Sequence, residues 1–402
     1  MRNLGVLIHR WAGLITALFL FISGLTGAVI SWDHELDEWL NGHLFDVRAS
    51  GPSLPSLDLA GRIEAADPRA RVSFVPLQTE TGHSLQFGVQ PRVNPETGNL
   101  YKLGYNQMFL DPATGREIGR RDWGAVAVDR EHLLPFLYKL HYSLHIPEFA
   151  GQNRWGIWFM GGIAMLWLLD CFVALAISFP DRERWKKSFA IRRGSRYQFN
   201  FDLHRAGGLW CWGLMFILAM SAVYLNLNRE LFRPAVAAVA TLTFSPFDLR
   251  TQRPLNQPLE PQVGYAAIIT QARQEALRKG WPEPVGGATY NARFGIYGVR
   301  FFQPGNDHGS GGFGVKQLYF DGIDGTFLGE RVPGTGTAGD IFLQLQFPLH
   351  SGRIAGIPGR ILVSSLGLLV ATLSVTGIVI WLRRRGLLLA WKTHPITTEV
   401  HQ

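Results

Sequence analysis

Cysteine is nearly absent. Only Cys171 and Cys211 occur in 402 residues, both inside long apolar runs. This excludes a disulfide framework, and without Cys-x-x-Cys or Cys-x-x-Cys-His there is neither a dithiol redox motif nor a covalent haem attachment site. Charge is missing from four stretches. None occurs in Trp11 to Trp32, Ala206 to Asn228 or Ile361 to Leu382, and between Arg154 and Asp181 the only charged residue is Asp170. Roughly 20 apolar residues span the hydrocarbon of a bilayer, so the chain reads as a polytopic membrane protein. A Rossmann or flavin fingerprint is also lacking, so the chain is not expected to take hydride from NAD(P)H by itself. The glycine-rich stretch Gly305 to Gly314 has neither the Lys nor the following helix of a phosphate loop and reads as a mobile hairpin.

The net charge of +8 is unevenly placed. Between Asp181 and Arg196 stand Arg182, Arg184, Lys186, Lys187, Arg192, Arg193 and Arg196 against only Asp181 and Glu183. Arg383-Arg384-Arg385 and Lys392 follow the last apolar run. Lys and Arg gather on short cytoplasmic flanks, which places both termini and the basic loop inside and residues 33–153 and 229–357 outside. Membrane topology thus accounts for the basic balance, and no nucleic-acid partner is expected. The first run is longer than a signal-peptide core and lacks a small-x-small cleavage site, so it reads as a retained helix.

The expected order is a span in 1–32, an outside domain in 33–153, and a second span in 154–180. A basic loop in 181–202 and a span in 203–228 follow. A second outside domain in 229–357, a span in 358–382 and a cytoplasmic tail in 383–402 complete it. Trp11 and Trp32 are interfacial anchors of the first span, and Asp33 to Leu40 continues it as an amphipathic segment. Pro, Gly and Ser around 50–56 mark a linker. Leu57 to Ala66 reads as a helix. Arg71 to Val75, Ser84 to Val89 and Tyr105 to Leu110 read as strands, the last leading into a tight turn at Asp111 to Gly115. Leucines at helical spacing predict a helix from Arg130 to His145. Farther on, Tyr265 to Lys279 reads as a helix, and Gly295 to Phe302 and Lys316 to Phe320 as strands.

The two halves repeat. Leu7-Ile8-His9-Arg10 returns as Asp202-Leu203-His204-Arg205, each at the mouth of a span. Glu35-Leu36 lies 26 residues after His9, and Glu230-Leu231 lies 26 after His204. Asp111-x-x-Thr114-Gly115-x-x-x-Gly119 matches Asp321-x-x-Asp324-Gly325-x-x-x-Gly329. His141 stands 30 residues after the first turn aspartate and His350 stands 29 after the second. The fold class expected is therefore membrane α+β: four transmembrane helices in a duplicated two-helix repeat, with two mixed α/β outside domains.

The repeat sorts four histidines into an inner pair, His9 and His204, and an outer pair, His141 and His350. One imidazole from each of two facing helices is how a membrane bundle grips haem iron, and two axial ligands leave no open position, which suits electron transfer. Two pairs would make a relay of two non-covalent haem b groups. Arg10 and Arg205 are candidates to neutralise haem propionates. Gly13, Gly207 and Gly208 would admit a flat macrocycle or a neighbouring helix. A lone His at a helix end is more often an interfacial hydrogen-bonding residue, and an Arg beside it more often a basic flank; the repeat is what outweighs this. His145, one turn after His141, is either the ligand, a second ligand or a surface residue, and the repeat favours His141. His-x-x-x-His without a third donor is a poor zinc site. His34, His43, His83, His132 and His308 have no counterpart and read as ordinary domain residues. Asp170 is a functional candidate because carboxylates inside spans face the bundle and find a partner. Arg10 or Arg205 is the expected one, in a proton-coupling or structural role.

His9-Arg10-x-x-Gly13-Leu14, Asp111-Pro112-x-Thr114-Gly115, Leu140-His141-x-Ser143-Leu144, Asp202-Leu203-His204-Arg205-x-x-Gly208-Leu209 and Trp167-Leu168-Leu169-Asp170-Cys171-Phe172 together resemble the PepSY-associated transmembrane helix family. The resemblance covers essentially the whole chain. It implies a bacterial inner-membrane protein with PepSY-like periplasmic domains, and, as in some members, a haem b siderophore reductase. Such a protein would pass electrons from a quinol or a cytoplasmic reductase to a ferric siderophore bound between the outside domains. A membrane-anchored binding or regulatory module, or a transporter of iron or haem, are the alternatives. Here the second turn departs from the pattern, with Gly322 and Asp324 in place of the Pro and Thr.

Overall fold

A computed structural model describes residues 2–48, 51–147, 154–179, 185–192 and 194–387. Pro180, Asp181, Arg182, Glu183, Arg184 and Arg193 of the basic loop, the start of the 50–56 linker, Lys392, His394 and His401 lie outside the described residues. The elements in the first half are α1 (Arg2–Ile30), α2 (Asp33–Phe45), α3 (Ser56–Ala66), β1 (Ala70–Pro76), β2 (Leu85–Pro91), β3 (Gln107–Leu110), β4 (Glu117–Arg121), α4 (Leu133–Ser143) and α5 (Trp155–Ser178). The short α6 (Trp185–Ser188) leads to α7 (Arg196–Trp210), α8 (Trp212–Leu227), a π-helical turn (Asn228–Phe232) and α9 (Arg233–Ala237). There follow α10 (Tyr265–Arg278), β5 (Val285–Asn291), β6 (Ile296–Phe301), β7 (Lys316–Asp321), β8 (Phe327–Arg331), α11 (Ala338–Ser351) and α12 (Gly356–Arg384).

Arg2–Ile30, Trp155–Ser178 and Arg353–Arg384 are each long and apolar enough to cross a membrane. Arg196–Trp210 and Trp212–Ala237 make a fourth if that pair, bent by 70°, is one span. The helix expected at 203–228 thus starts earlier and breaks. Ser195 caps its start by accepting from the Gln198 amide. It breaks at Cys211, just after the poor helix formers Gly207 and Gly208. The Trp212 indole then donates to the Cys171 carbonyl at 2.8 Å. The helix expected to reach His145 stops at Ser143, because Leu144 and His145 both turn to φ 53°; Pro147 bars further helix at its predecessor.

The chain divides into two compact units. One comprises Met1–Leu25, Ile163–Ala219 and Leu366–Gln402. In it α1 and α12 approach closely where Gly24 faces the backbone of Gly367 and Ala371. A small residue is what permits such contact between apolar helices. Leu18 and Leu169 point outward, as membrane-facing side chains do.

The other unit, Thr26–Gly162 and Met220–Ser365, holds the sheet. Its eight strands run β4-β3-β2-β1-β5-β6-β7-β8, all antiparallel. In each half one helix packs on the sheet: Leu59 and Ile63 of α3 cluster with Val72, Val75 and Phe87, and Ile268 and Ala272 of α10 with Tyr297, Val299 and Phe301. Full burial of such side chains stabilises by about 1.5–3 kcal/mol each. The halves are joined edge to edge by β1 and β5, with Val75 opposite Ala288. Pairing removes two open strand edges, which otherwise invite aggregation. The Phe74 ring crosses this seam over Gly287, where a Cβ would stand 2.6 Å from it.

The two turns carry matching hydrogen bonds despite their different residues. Asp111 accepts from the amides of Ala113 and Thr114, and Asp321 from that of Ile323. Thr114 Oγ1 accepts from the Arg116 amide, and Asp324 takes over that role by accepting from Thr326 at 2.8 Å. Gly305 to Gly314 is pinned at its edges, where Arg300 donates to the Asp307 carbonyl and Arg331 to that of Phe313.

Candidate functional site

The first unit brings His9 of α1 and His204 of α7 together, with ring centres 6.2 Å apart and planes tilted by 53°. His9 Nδ1 lies 2.9 and 3.0 Å from the two carboxylate oxygens of Asp170 on α5. His204 Nδ1 lies 3.0 Å from Thr376 Oγ1 and 3.1 Å from the Leu373 carbonyl, both on α12. A carboxylate and a carbonyl only accept, so both rings donate through Nδ1–H, and the neutral tautomer carries its lone pair on Nε2. Neither Nε2 has a hydrogen-bond partner among the described residues.

The second unit holds the other pair, with the His141 and His350 rings 6.1 Å apart at 65°. His141 Nδ1 lies 3.1 Å from Thr26 Oγ1 on α1, and His350 Nδ1 lies 2.9 Å from Ser221 Oγ on α8. An Nδ1–H donated to these hydroxyls leaves the lone pair on Nε2 here too. Each pair is a set of two imidazoles; among the described residues no group of three or more His, Cys, Asp or Glu side chains is arranged to hold a metal ion.

Glycines fit the rings. A Cβ on Gly27 would come 2.9 Å from His141 Cε1, and one on Gly377 would come 3.2 Å from His204 Cε1. Gly13 and Gly208, one turn after His9 and His204, face open space within 4 Å, and Gly207 makes only ordinary contact with Leu369. So the close helix approach falls to Gly24, while Gly13 and Gly208 leave room beside the first pair.

Other expected residues lie elsewhere. His145 stacks on Phe136 at 4.6 Å and its Nε2–H donates to the Phe136 carbonyl at 2.8 Å. His141, not His145, faces His350. The partner of Asp170 is His9, whose Nδ1 lies within hydrogen-bond reach of both carboxylate oxygens, rather than the expected Arg10 or Arg205. Arg205 donates to buried Asp202 at 2.9 Å and to the Lys187 and Ala190 carbonyls. Arg10 keeps a buried Nε without a partner. His34, His43, His83, His132 and His308 each sit beside a carboxylate, of Glu38, Glu131, Glu38, Asp129 and Asp307.

Thr26, Ser221, Thr376, Gly27 and Gly377 were not singled out from the sequence. The signal existed: Thr26-Gly27-x-Val29-Ile30 returns as Thr376-Gly377-x-Val379-Ile380 in the last span. It lies on the first helix of one repeat and the second of the other, so an in-order alignment of the halves passes over it. Glu35 and Glu230 also find their reason. Glu35 binds Arg360 at 2.5 and 2.6 Å, with Arg360 4.2 Å over the Trp32 ring, and Glu230 binds Arg154 at 3.0 Å. The Arg360 guanidinium holds the Glu35 carboxyl down at about 2, well below its ordinary value.

No curated protein matches the sequence significantly. The sequence profile of the PepSY-associated TM region matches residues 6–384, nearly the whole chain, and the chain belongs to that family.

Proposed function

We propose that the protein holds two b-type haems, one between His9 and His204 and one between His141 and His350, and reduces a ferric siderophore. The observation that carries this is the spacing of the two pairs. An iron–nitrogen bond of about 2 Å on each side, plus about 1.1 Å from each nitrogen to its ring centre, gives about 6 Å between rings. The observed values are 6.2 and 6.1 Å. The donor chemistry agrees, since every Nδ1 is engaged and ligating imidazoles anchor their second nitrogen in this way.

Haem supplies a reversible one-electron site. His9 with His204, and His141 with His350, would each hold one such iron and leave no position open to oxygen. Asp170, Thr376, Thr26 and Ser221 would fix the ring orientations. Arg10 and Arg205 each keep an unpartnered Nε, but Arg205 is already tied to Asp202, which favours Arg10 as a propionate partner. In this reading the protein is a four-span protein of the bacterial inner membrane, lipid-bound, with both termini cytoplasmic and the sheet periplasmic as two PepSY-like halves. A quinol releasing two electrons and two protons, or a cytoplasmic reductase, is the donor. Each electron turns one Fe(III) chelate into Fe(II), which hard oxygen donors hold weakly, so iron leaves an intact siderophore.

A reduced-minus-oxidised spectrum of the purified protein should show a b-type band with two haems per chain. Single His→Ala changes at positions 9, 204, 141 and 350 should each lower that content. A protein without the band overturns the proposal and leaves the anchored binding module or a transporter.

A further inference from the structure

Three of the four paired histidines meet neutral oxygens, and one meets a charge. His204 contacts Thr376 and a carbonyl, His141 contacts Thr26, and His350 contacts Ser221. His9 contacts a carboxylate, through both oxygens of Asp170. The repeat sharpens the contrast. In each copy the first-helix histidine is met by the second helix, and there Asp170 takes the part that Thr376 plays for His204. Asp170 is also costly where it stands: its side chain is 11% exposed, inside an apolar span with no other charge. A hydroxyl suffices to orient an imidazole, as the other three show.

What a carboxylate adds is electronic. Accepting the Nδ1 proton at 2.9 Å, it draws that proton away and makes the ring a stronger donor through Nε2. Its negative charge also favours the more positive, oxidised iron in a medium of low dielectric. Resting on the two-haem reading, we infer that Asp170 is a positioning residue that makes the His9–His204 haem the lower-potential of the two. Electrons then run downhill from the first pair to the second, and the direction of transfer is set by one residue in which the repeats differ. The rival is a plain ion pair between Asp170 and a protonated His9, in which His9 is no ligand.

The test is optical redox titration of the haem-loaded full chain, with haem content measured beside it. Wild type should give two midpoint potentials. In a His350→Ala background, which removes the second site, Asp170→Asn should raise the remaining midpoint. In the same background the exchange variant Asp170→Asn/Thr376→Asp, which moves the charge to the other ligand of that haem, should restore the low value. Should Asp170→Asn lose the haem, recovery of a low-potential haem in the exchange variant still supports the inference, and loss in both overturns it. An unmoved midpoint also overturns it, leaving the two-haem reading intact. Absence of haem from the wild type overturns both.

Discussion

Placing a methyl group at Gly27 tests the ring geometry without touching a ligand. An ideal Cβ there lies 2.9 Å from His141 Cε1, about 0.5 Å inside the 3.4 Å at which ordinary contact begins. At Gly377 the same construction gives 3.2 Å to His204 Cε1, about 0.2 Å inside it. Metal–ligand distances tolerate about 0.2 Å of error. Gly27→Ala therefore exceeds the tolerance and Gly377→Ala only reaches it. Neither change should unfold the chain: Ala gains about 1 kcal/mol over Gly in a helix, and a small overpacking costs about 1–3 kcal/mol. Gly27→Ala should reduce occupancy of the second haem at least about tenfold, which is about 1.4 kcal/mol of binding, with the first haem retained. Gly377→Ala should keep both haems with a perturbed low-spin signature. Haem-to-protein ratio, low-temperature spectra and thermal melting of the detergent-solubilised apoprotein read these effects separately. Two full haems and unchanged spectra in Gly27→Ala would refute the reasoning, since the ring could then not be where the contact requires.

His145→Ala should leave both haems in place and lower the melting temperature, because it removes the Nε2–H bond to Phe136 and the stacked ring; haem loss on this change would reverse the assignment of His141. The Glu35 carboxyl, held at about 2 by Arg360, contributes stability fully present above its unfolded value of 4.5 and lost as pH falls toward 2. Half its side chain is exposed, so screening leaves about 0.5–1 kcal/mol. Glu35→Gln should therefore melt earlier than wild type at pH 7 and together with it near pH 2, and a gap that persists at low pH would count against the ion pair.

The apolar helices were legible because length and absence of charge leave few alternatives. The break at Cys211 was not, since no proline marks it and Gly207-Gly208 read equally as a close-packing site. β5 escaped notice because Gly286-Gly287 suppress the strand signal. Those glycines answer to tertiary neighbours, the Phe302 and Phe74 rings. β8 is short and carries Glu330 and Arg331, as an edge strand does. α11 was hidden by Pro348 inside it, though Thr337 and Asp340 form a capping box at its start. The histidines could be sorted into pairs by spacing, but their partners could not, because those contacts join residues more than a hundred positions apart.

The contacts follow one rule that explains why two copies are needed. The side-chain oxygens that meet the Nδ1 atoms of the paired histidines come from the same repeat: Asp170 for His9, Thr26 for His141, Thr376 for His204, Ser221 for His350. Every facing pair is made across repeats: His9 with His204, His141 with His350, β1 with β5, Glu35 with Arg360, Arg154 with Glu230. One repeat can thus orient its own imidazoles but can complete neither pair, neither ion pair nor the sheet seam. Two identical copies facing each other would complete them all and would leave the two members of each pair alike. Joining the copies in one chain is what lets one copy diverge from the other, and Asp170 against Thr376 is one place where it has. A two-chain assembly of identical repeats could not give the two members of the first pair different oxygens; this chain does.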